Sequence, residues 1–460
     1  MKYVSTRGQT EPIGFEEAVM TGMARDGGLL LPARIPDVTG QLAGWAGLPY
    51  RELACRVMAP YTDLAADRLA ELVARSYQAF RHPEVTPVVP VGPVYIAELF
   101  HGPTLAFKDV ALQFLGNLFE HVLAGRDRVL NILAATSGDT GSAAIYGVRG
   151  RDRIRIFVMH PRGRISPTQE RQMTTVLDAN VFNLAVEGSF DDCQRIMKSL
   201  FADLSFKDRY ALGSVNSINW ARLLAQIVYY FYAYFRVAAA TGAARVRVAV
   251  PTGNFGDIFA GYLAARMGLP ISALVLATNE NDILARFFET GVYRLGTVHE
   301  TVSPSMDIQV ASNFERYLYY RLGAECAPVR RLMEQFVRSG EFSVAPAPAA
   351  CGSPRFLAGA GTTAATLATI RRYHEAYGYL LDPHSAVGVH VAEQHLDAAE
   401  PMICLATAHP AKFGAAVRDA IGQDLAQHAL LDGLAALPTR CVSVPASEQA
   451  VRGFLVERLD

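Results

Sequence analysis

The sequence predicts an α/β fold in which two parallel-type sheets carry helices on both faces, preceded by a helical N-terminal domain. Three observations predict it. Beyond a proline-rich run near residue 90, short apolar runs alternate with helical patterns, as parallel strands joined by crossover helices do. Before that run, apolar residues recur at helical spacing. The composition, 51% hydrophobic and only 19% charged over 460 residues, requires large buried surfaces and argues against disorder.

The elements follow in chain order. Phe15-Glu-Glu-Ala-Val-Met-Thr-Gly-Met-Ala and Leu64 to Phe80 read as amphipathic helices. His82 to Pro93 holds four prolines in twelve residues and reads as a connector. A helix from Val110 to Leu123 follows, with Asp109 as a candidate cap. Strands are expected at Val129 to Ala134, Ile154 to Met159 and Val181 to Val186, each followed by a helix: Thr140 onward, Ser166 to Leu177, Phe190 to Leu204. Leu223 to Ala240 is the most apolar stretch, but Gln226 and Arg236 interrupt it, so it reads as a buried core helix rather than a membrane span. Val246 to Val250, Ile271 to Ala277 and Met402 to Ala406 complete the strands, with helices at Phe255 to Met267, Ile283 to Thr290 and His409 to Ile421. The expected domains are residues 1–93, mostly helical; residues 94–125 with 213–460, a large α/β domain; and residues 126–212, a small α/β domain inserted in it.

Charge and cysteine content narrow the function. Forty-three Lys plus Arg against 44 Asp plus Glu give a net charge of −1, which speaks against a nucleic-acid partner or a polybasic membrane surface. The six cysteines are scattered without a C-x-x-C, as reduced thiols in a cytoplasmic protein are. The N-terminus is polar and carries no apolar signal region. His384, His390 and His395 are spaced by six and five residues and share no helix face, and there is no His-Glu-x-x-His, so no metal is expected. No Gly-x-Ser-x-Gly occurs.

In α/β folds ligands bind at the carboxyl ends of strands. Ala135-Thr-Ser-Gly-Asp-Thr-Gly-Ser follows the first strand of the small domain and offers small residues and the hydroxyls of Ser137, Thr140 and Ser142 to an anion. An ordinary capped turn explains it equally well. Pro251-Thr-Gly-Asn-Phe-Gly-Asp has Gly253 and Gly256 where backbone could approach a phosphate, yet it is neither G-x-G-x-x-G nor a P-loop. Thr407 stands where a strand runs out, its hydroxyl placed for a ligand ring or for nearby backbone. Lys108, in His101-Gly-Pro-Thr-Leu-Ala-Phe-Lys-Asp, falls near a helix start among apolar neighbours, where dipole and burial disfavour the ammonium. Such a lysine suits a Schiff-base amine and general base; a lysine snorkelling at a helix end is the ordinary alternative.

Taken together, these four motifs resemble the threonine synthase family, pyridoxal-phosphate enzymes of the tryptophan-synthase-β-like fold (fold type II). Met1-Lys-Tyr-Val-Ser-Thr-Arg-Gly, His160-Pro-Arg-Gly-Arg-Ile-Ser, Asn216-Ser-Ile-Asn-Trp-Ala-Arg, Ser305-Met-Asp-Ile-Gln-Val-Ala-Ser-Asn-Phe-Glu-Arg and Pro383-His-Ser-Ala-Val-Gly add to the likeness in order along the chain. No motif stands between Cys326 and Tyr379, and residues 345–354 read as a loop or linker. The resemblance implies that Lys108 holds pyridoxal 5'-phosphate covalently, that Gly253, Asn254, Phe255, Gly256 and Asp257 bind its phosphate, and that Thr407 partners the pyridine nitrogen. It further implies that Ser137, Gly138, Asp139 and Thr140 grip the amino-acid carboxylate, with Arg164, Ser166 and Asn219 as candidates for the substrate phosphate. The implied reaction turns O-phospho-L-homoserine and water into L-threonine and phosphate. A phospholyase or dehydratase on the same scaffold is the near alternative. A non-catalytic phosphate-binding α/β protein is the remote one, and it has no use for Lys108.

Overall fold

A computed structural model describes residues 1–126, 128–345 and 353–460, so Cys351 and most of the expected linker at 345–354 lie outside the described residues. Two compact units are present, one of Met1–Ala111 with Ser217–Ala426, the other of Leu112–Asn216 with Gln427–Asp460.

The larger unit is built on a six-stranded sheet in the order Arg355–Ala360, Ile271–Thr278, Val246–Pro251, Met402–Ala406, Val94–Glu98, Val88–Val91. All neighbours are parallel except the last pair. Val248, Ala249 and Val250 are consecutive and almost wholly buried, which places cover on both faces of the sheet. The proline-rich connector therefore contains an edge strand that the proline count concealed. Pro90 pairs antiparallel with Tyr95 and is exposed, and an edge strand tolerates the missing N–H.

The N-terminal stretch groups with this unit. Its helices Phe15–Thr21, Leu42–Trp45, Tyr50–Met58 and Ala66–Tyr77 accompany a short antiparallel pair, Tyr3–Ser5 with Leu30–Pro32. Helix Trp220–Thr241 is long and apolar enough to cross a bilayer, but 72% of its apolar window is buried inside the unit, as a core helix requires.

The smaller unit carries a five-stranded, all-parallel sheet in the order Val442–Pro445, Val181–Glu187, Ile154–Pro161, Leu130–Ala135, Leu212–Gly213. Its outer strand and the helix Glu448–Leu459 come from the C-terminus, whereas the sequence assigned residues 213–460 wholly to the larger domain. Val451 and Leu455 are fully buried in one cluster with Val186, Cys193 and Ile196, and that burial keeps the tail in this unit.

Candidate active site

Three neighbouring strands of the larger sheet, Val94–Glu98, Met402–Ala406 and Val246–Pro251, run parallel, so their carboxyl ends share one edge. After the first, the chain turns towards Lys108 and is pinned to the segment that leaves the second. Leu99 N donates to Ala406 O at 3.0 Å, Phe107 N to Thr407 O at 2.8 Å, and His409 N to Leu105 O at 3.0 Å. These backbone bonds hold the segments that carry Lys108 and Thr407 side by side. Lys108 is the first residue of helix Lys108–Ala124, 8% exposed, with Nζ 5.0 Å from the centroid of the Phe107 ring.

Asp109, the expected cap, lies inside the helix instead. Its carboxylate accepts from Thr104 N and Thr104 Oγ1, both at 2.7 Å, while Lys412 Nζ donates to Thr104 O at 2.7 Å. Burial pushes Asp109 up to about 6, against the pull of the Thr104 bonds and the Lys412 charge. Asp109 is a brace for the loop that presents Lys108.

Thr407 is braced from a third direction. Its N donates to Ser385 Oγ at 3.0 Å, and the Ser385 hydroxyl donates to Asp382. Asp382 caps helix Pro383–Glu393 and meets His384 Nδ1 at 2.9 Å. His384 Nε2 accepts from Ser305 N at 3.2 Å, so the ring proton sits on Nδ1 facing Asp382. The same Ser305 abuts the loop that follows the third strand: a Cβ on Gly253 would lie 2.8 Å from Ser305 O. Only glycine fits there.

That loop leads into helix Gly256–Arg266, whose first N–H groups have no partner inside the helix and are of the kind an anion can accept from. Phe255 holds a left-handed φ of 64°, its ring packed among Phe288, Phe314, Tyr317 and Phe356. Asn254 O accepts from Asn313 N at 3.0 Å and from Asn313 Nδ2 at 3.2 Å. The Asp257 carboxylate, expected among the phosphate ligands, accepts instead from Tyr229 at 2.5 Å and Tyr230 at 2.9 Å, so only its backbone remains for an anion.

In the smaller unit, Thr136 Oγ1 accepts from Gly138 N at 3.0 Å and Gly141 N at 2.9 Å, shaping the turn before helix Asp139–Val148. Gly138 has φ 138°, and a Cβ there would meet Gln169 Oε1 at 2.4 Å. Gln169 Nε2 donates to Asp139 at 2.9 Å, and Gln169 N donates to Ser166 Oγ at 3.2 Å. Gln169 thus stitches Ser137–Thr140 to the Arg164–Ser166 segment, where Arg164 is exposed. Ser142, expected to face an anion, donates its hydroxyl to the carbonyls of Gly138 and Asp139. Asn219 is likewise engaged in the fold: it caps helix Trp220–Thr241 through Ala221 N and donates to Val19 O at 2.8 Å. Thr136 and Gln169 support the loops of the smaller unit, and Ser305, Asn313, Asp382, His384 and Ser385 those of the larger; Thr136, Ser305, Asn313, His384 and Ser385 stand within sequence motifs, whereas Gln169 and Asp382 lie outside them.

The residues fit pyridoxal phosphate. A glycine that admits no Cβ, a helix N-terminus, a buried lysine and a strand-end hydroxyl are what its phosphate, aldehyde carbon and ring nitrogen require. Family models match along most of the chain: threonine synthase N terminus at residues 2–77, pyridoxal-phosphate dependent enzyme at 80–332, and threonine synthase C-terminal at 385–455. Threonine synthase of Pseudomonas aeruginosa is 47% identical over 461 residues, covering 99% of this chain and 98% of that one. The chain belongs to the threonine synthase family. Among solved structures, PLP-bound threonine synthase from Brucella melitensis matches at TM-score 0.95 and 46% identity, covering 100% of this chain and 99% of that one. Yeast threonine synthase matches at TM-score 0.94 and 41% identity, covering 100% and 98%. The α/β fold type II architecture, the pyridoxal 5'-phosphate cofactor and the lyase class expected from the threonine synthase motifs are therefore established.

Proposed function

We propose that this cytoplasmic threonine synthase takes O-phospho-L-homoserine and water to L-threonine and phosphate, with Lys108 as the amine that holds the cofactor and moves the substrate protons. The observation that carries this reading is the backbone pairing of the Lys108 loop with Thr407 at the same sheet edge as the Gly253 loop. Bound pyridoxal phosphate supplies an electron sink for charge that develops on the substrate carbons. Gly253, Asn254, Phe255 and Gly256, with the backbone of Asp257, hold its phosphate. Thr407 offers a neutral hydroxyl to the ring nitrogen. Ser137, Gly138, Asp139 and Thr140 bind the substrate carboxylate, and Arg164 and Ser166 bind the substrate phosphate.

The Lys108 amine takes the proton from Cα and later returns it. Cβ gives up a proton, the Cγ–O bond breaks with release of phosphate, and Cγ gains a proton. The water oxygen then bonds to Cβ as one water proton leaves to the released phosphate. Burial beside Phe107 keeps the lysine out of bulk water, which suits a group that must accept and give protons repeatedly. Incubation with O-phospho-L-homoserine should yield threonine and phosphate in equal amounts, and Lys108→Ala should abolish both. A 2-oxo acid in place of threonine would overturn the reading in favour of a phospholyase or dehydratase.

A further inference from the structure

Arg316 is wholly buried, at 0% exposure, in helix Phe314–Arg321. Its Nε and Nη2 donate to Leu30 O at 3.0 and 2.7 Å, Nη2 also donates to Ile218 O at 2.6 Å, and Nη1 donates to Asn313 Oδ1. These acceptors are neutral. The adjacent carboxylate, Glu315, is matched by Arg7, whose Nε and Nη2 reach it at 3.1 and 3.0 Å, and it also accepts from Thr6 Oγ1. Burial pulls the Arg316 guanidinium down to about 9, so it stays charged at neutral pH. A buried charge whose hydrogen bonds among the described residues go to neutral oxygens is costly to desolvate, and a nearby anion would offset that cost.

The geometry points towards such an anion. Asn313, whose side-chain oxygen takes the guanidinium, directs both its backbone N and its Nδ2 at Asn254 O in the cofactor loop. A trans peptide sets the next N–H opposite its carbonyl. Drawing Asn254 O inward therefore turns the Phe255 N–H away from Asn313, and the left-handed φ of Phe255 carries the chain from there into the helix start. Polarisation by the guanidinium strengthens the Asn313 donors that do this.

We propose that Arg316, acting through Asn313, is a positioning residue for the cofactor-phosphate loop and supplies the buried positive charge that the phosphate dianion answers. Leu30, in the N-terminal strand, is part of this device because its carbonyl takes two of the guanidinium's bonds. The inference rests on the reading that Gly253–Gly256 hold the cofactor phosphate, and one experiment separates the two. The full-length protein, stripped of cofactor, is titrated with pyridoxal 5'-phosphate and with pyridoxal, which lacks the phosphate, and binding is followed by absorbance.

Wild type should bind the phosphorylated form more tightly. Arg316→Met should weaken it on the order of tenfold or more while changing pyridoxal affinity by less than about twofold. Asn313→Asp, which sets a carboxylate against the guanidinium, should do the same, and Arg316→Lys should recover part of the loss. These two variants carry the test if Arg316→Met does not fold. Parallel loss of both ligands, or loss of neither, would overturn the role of Arg316. Equal binding of the two ligands by wild type would instead overturn the phosphate-loop reading beneath it.

Discussion

Asp257 is the second residue of helix Gly256–Arg266, the proposed seat of the cofactor phosphate, yet its carboxylate is buried against two tyrosine hydroxyls, with Oδ2 lacking a partner among the described residues. Burial raises it from the ordinary 3.8 to about 6, and Asp109 rises likewise. Between those values the folded chain binds more protons than the unfolded one, so each group lowers stability as pH climbs from about 4 to about 6, by on the order of 3 kcal/mol. Asp257→Asn does not titrate. Its unfolding free energy relative to wild type, from denaturant titrations, should rise by that order across this window and stay flat above pH 7; a difference independent of pH would refute the assignment. Gly253 makes a second residue-scale case. Gly253→Ala should lower both the unfolding midpoint and the cofactor retained per chain on purification, because a Cβ 2.8 Å from the Ser305 carbonyl forces the loop to withdraw. Both residues stand in a motif visible in the sequence, but the motif does not tell backbone ligands from side-chain ligands. Asp257 and Asn219 illustrate the gap: their polar groups are engaged by partners 28 and 200 positions away, as Tyr229 and Val19 are.

At the scale of elements, periodicity was sufficient for two of the three strands whose carboxyl ends share one edge, Val246–Pro251 and Met402–Ala406, and missed the third, Val94–Glu98, which leads to Lys108. Met402–Ala406 and Ile283–Thr290 fall where the pattern puts them, because fully buried strands and one-faced helices leave strong apolar signatures. Asp382-Pro-His-Ser shows what pattern misses. It starts a helix, and it also ties Thr407 to Ser305, a link made by tertiary contact alone. Ser385→Ala removes the acceptor for Thr407 N and a donor to Asp382. It should cost about 1–3 kcal/mol in denaturant unfolding and shift the absorption band of the bound cofactor, with Ser385→Thr restoring both. An unchanged spectrum would show that Ser385 holds the helix start without setting the ring-nitrogen partner.

For the whole molecule, the chain's two units are assembled from separated pieces, and the sequence reading comes near the join at 216–217, which it puts at 212–213, but misses the one at 426–427. The proline-rich run marks a change of texture inside the larger unit, and nothing in composition marks residue 427, where the chain passes to the smaller unit. Strand Val442–Pro445 pairs parallel with Val181–Glu187, and Ser443 and Pro445 lie opposite Ala185 and Glu187. From the same tail, Val451 and Leu455 are fully buried among Val186, Ile196 and Leu200, and Arg452 binds Asp203 at 2.8 Å. Removing residues 427–460 therefore strips one edge from the smaller sheet and uncovers its core, while the larger six-stranded sheet keeps all of its strands. Amide hydrogen exchange should accordingly accelerate in Val181–Glu187 and Phe190–Ala202 of the truncated chain. Protection should persist in Val246–Pro251 and Ile271–Thr278, since each unit buries its own core and opens with its own free energy. Uniform loss of protection across both sheets would mean that the tail supports the whole molecule rather than one unit.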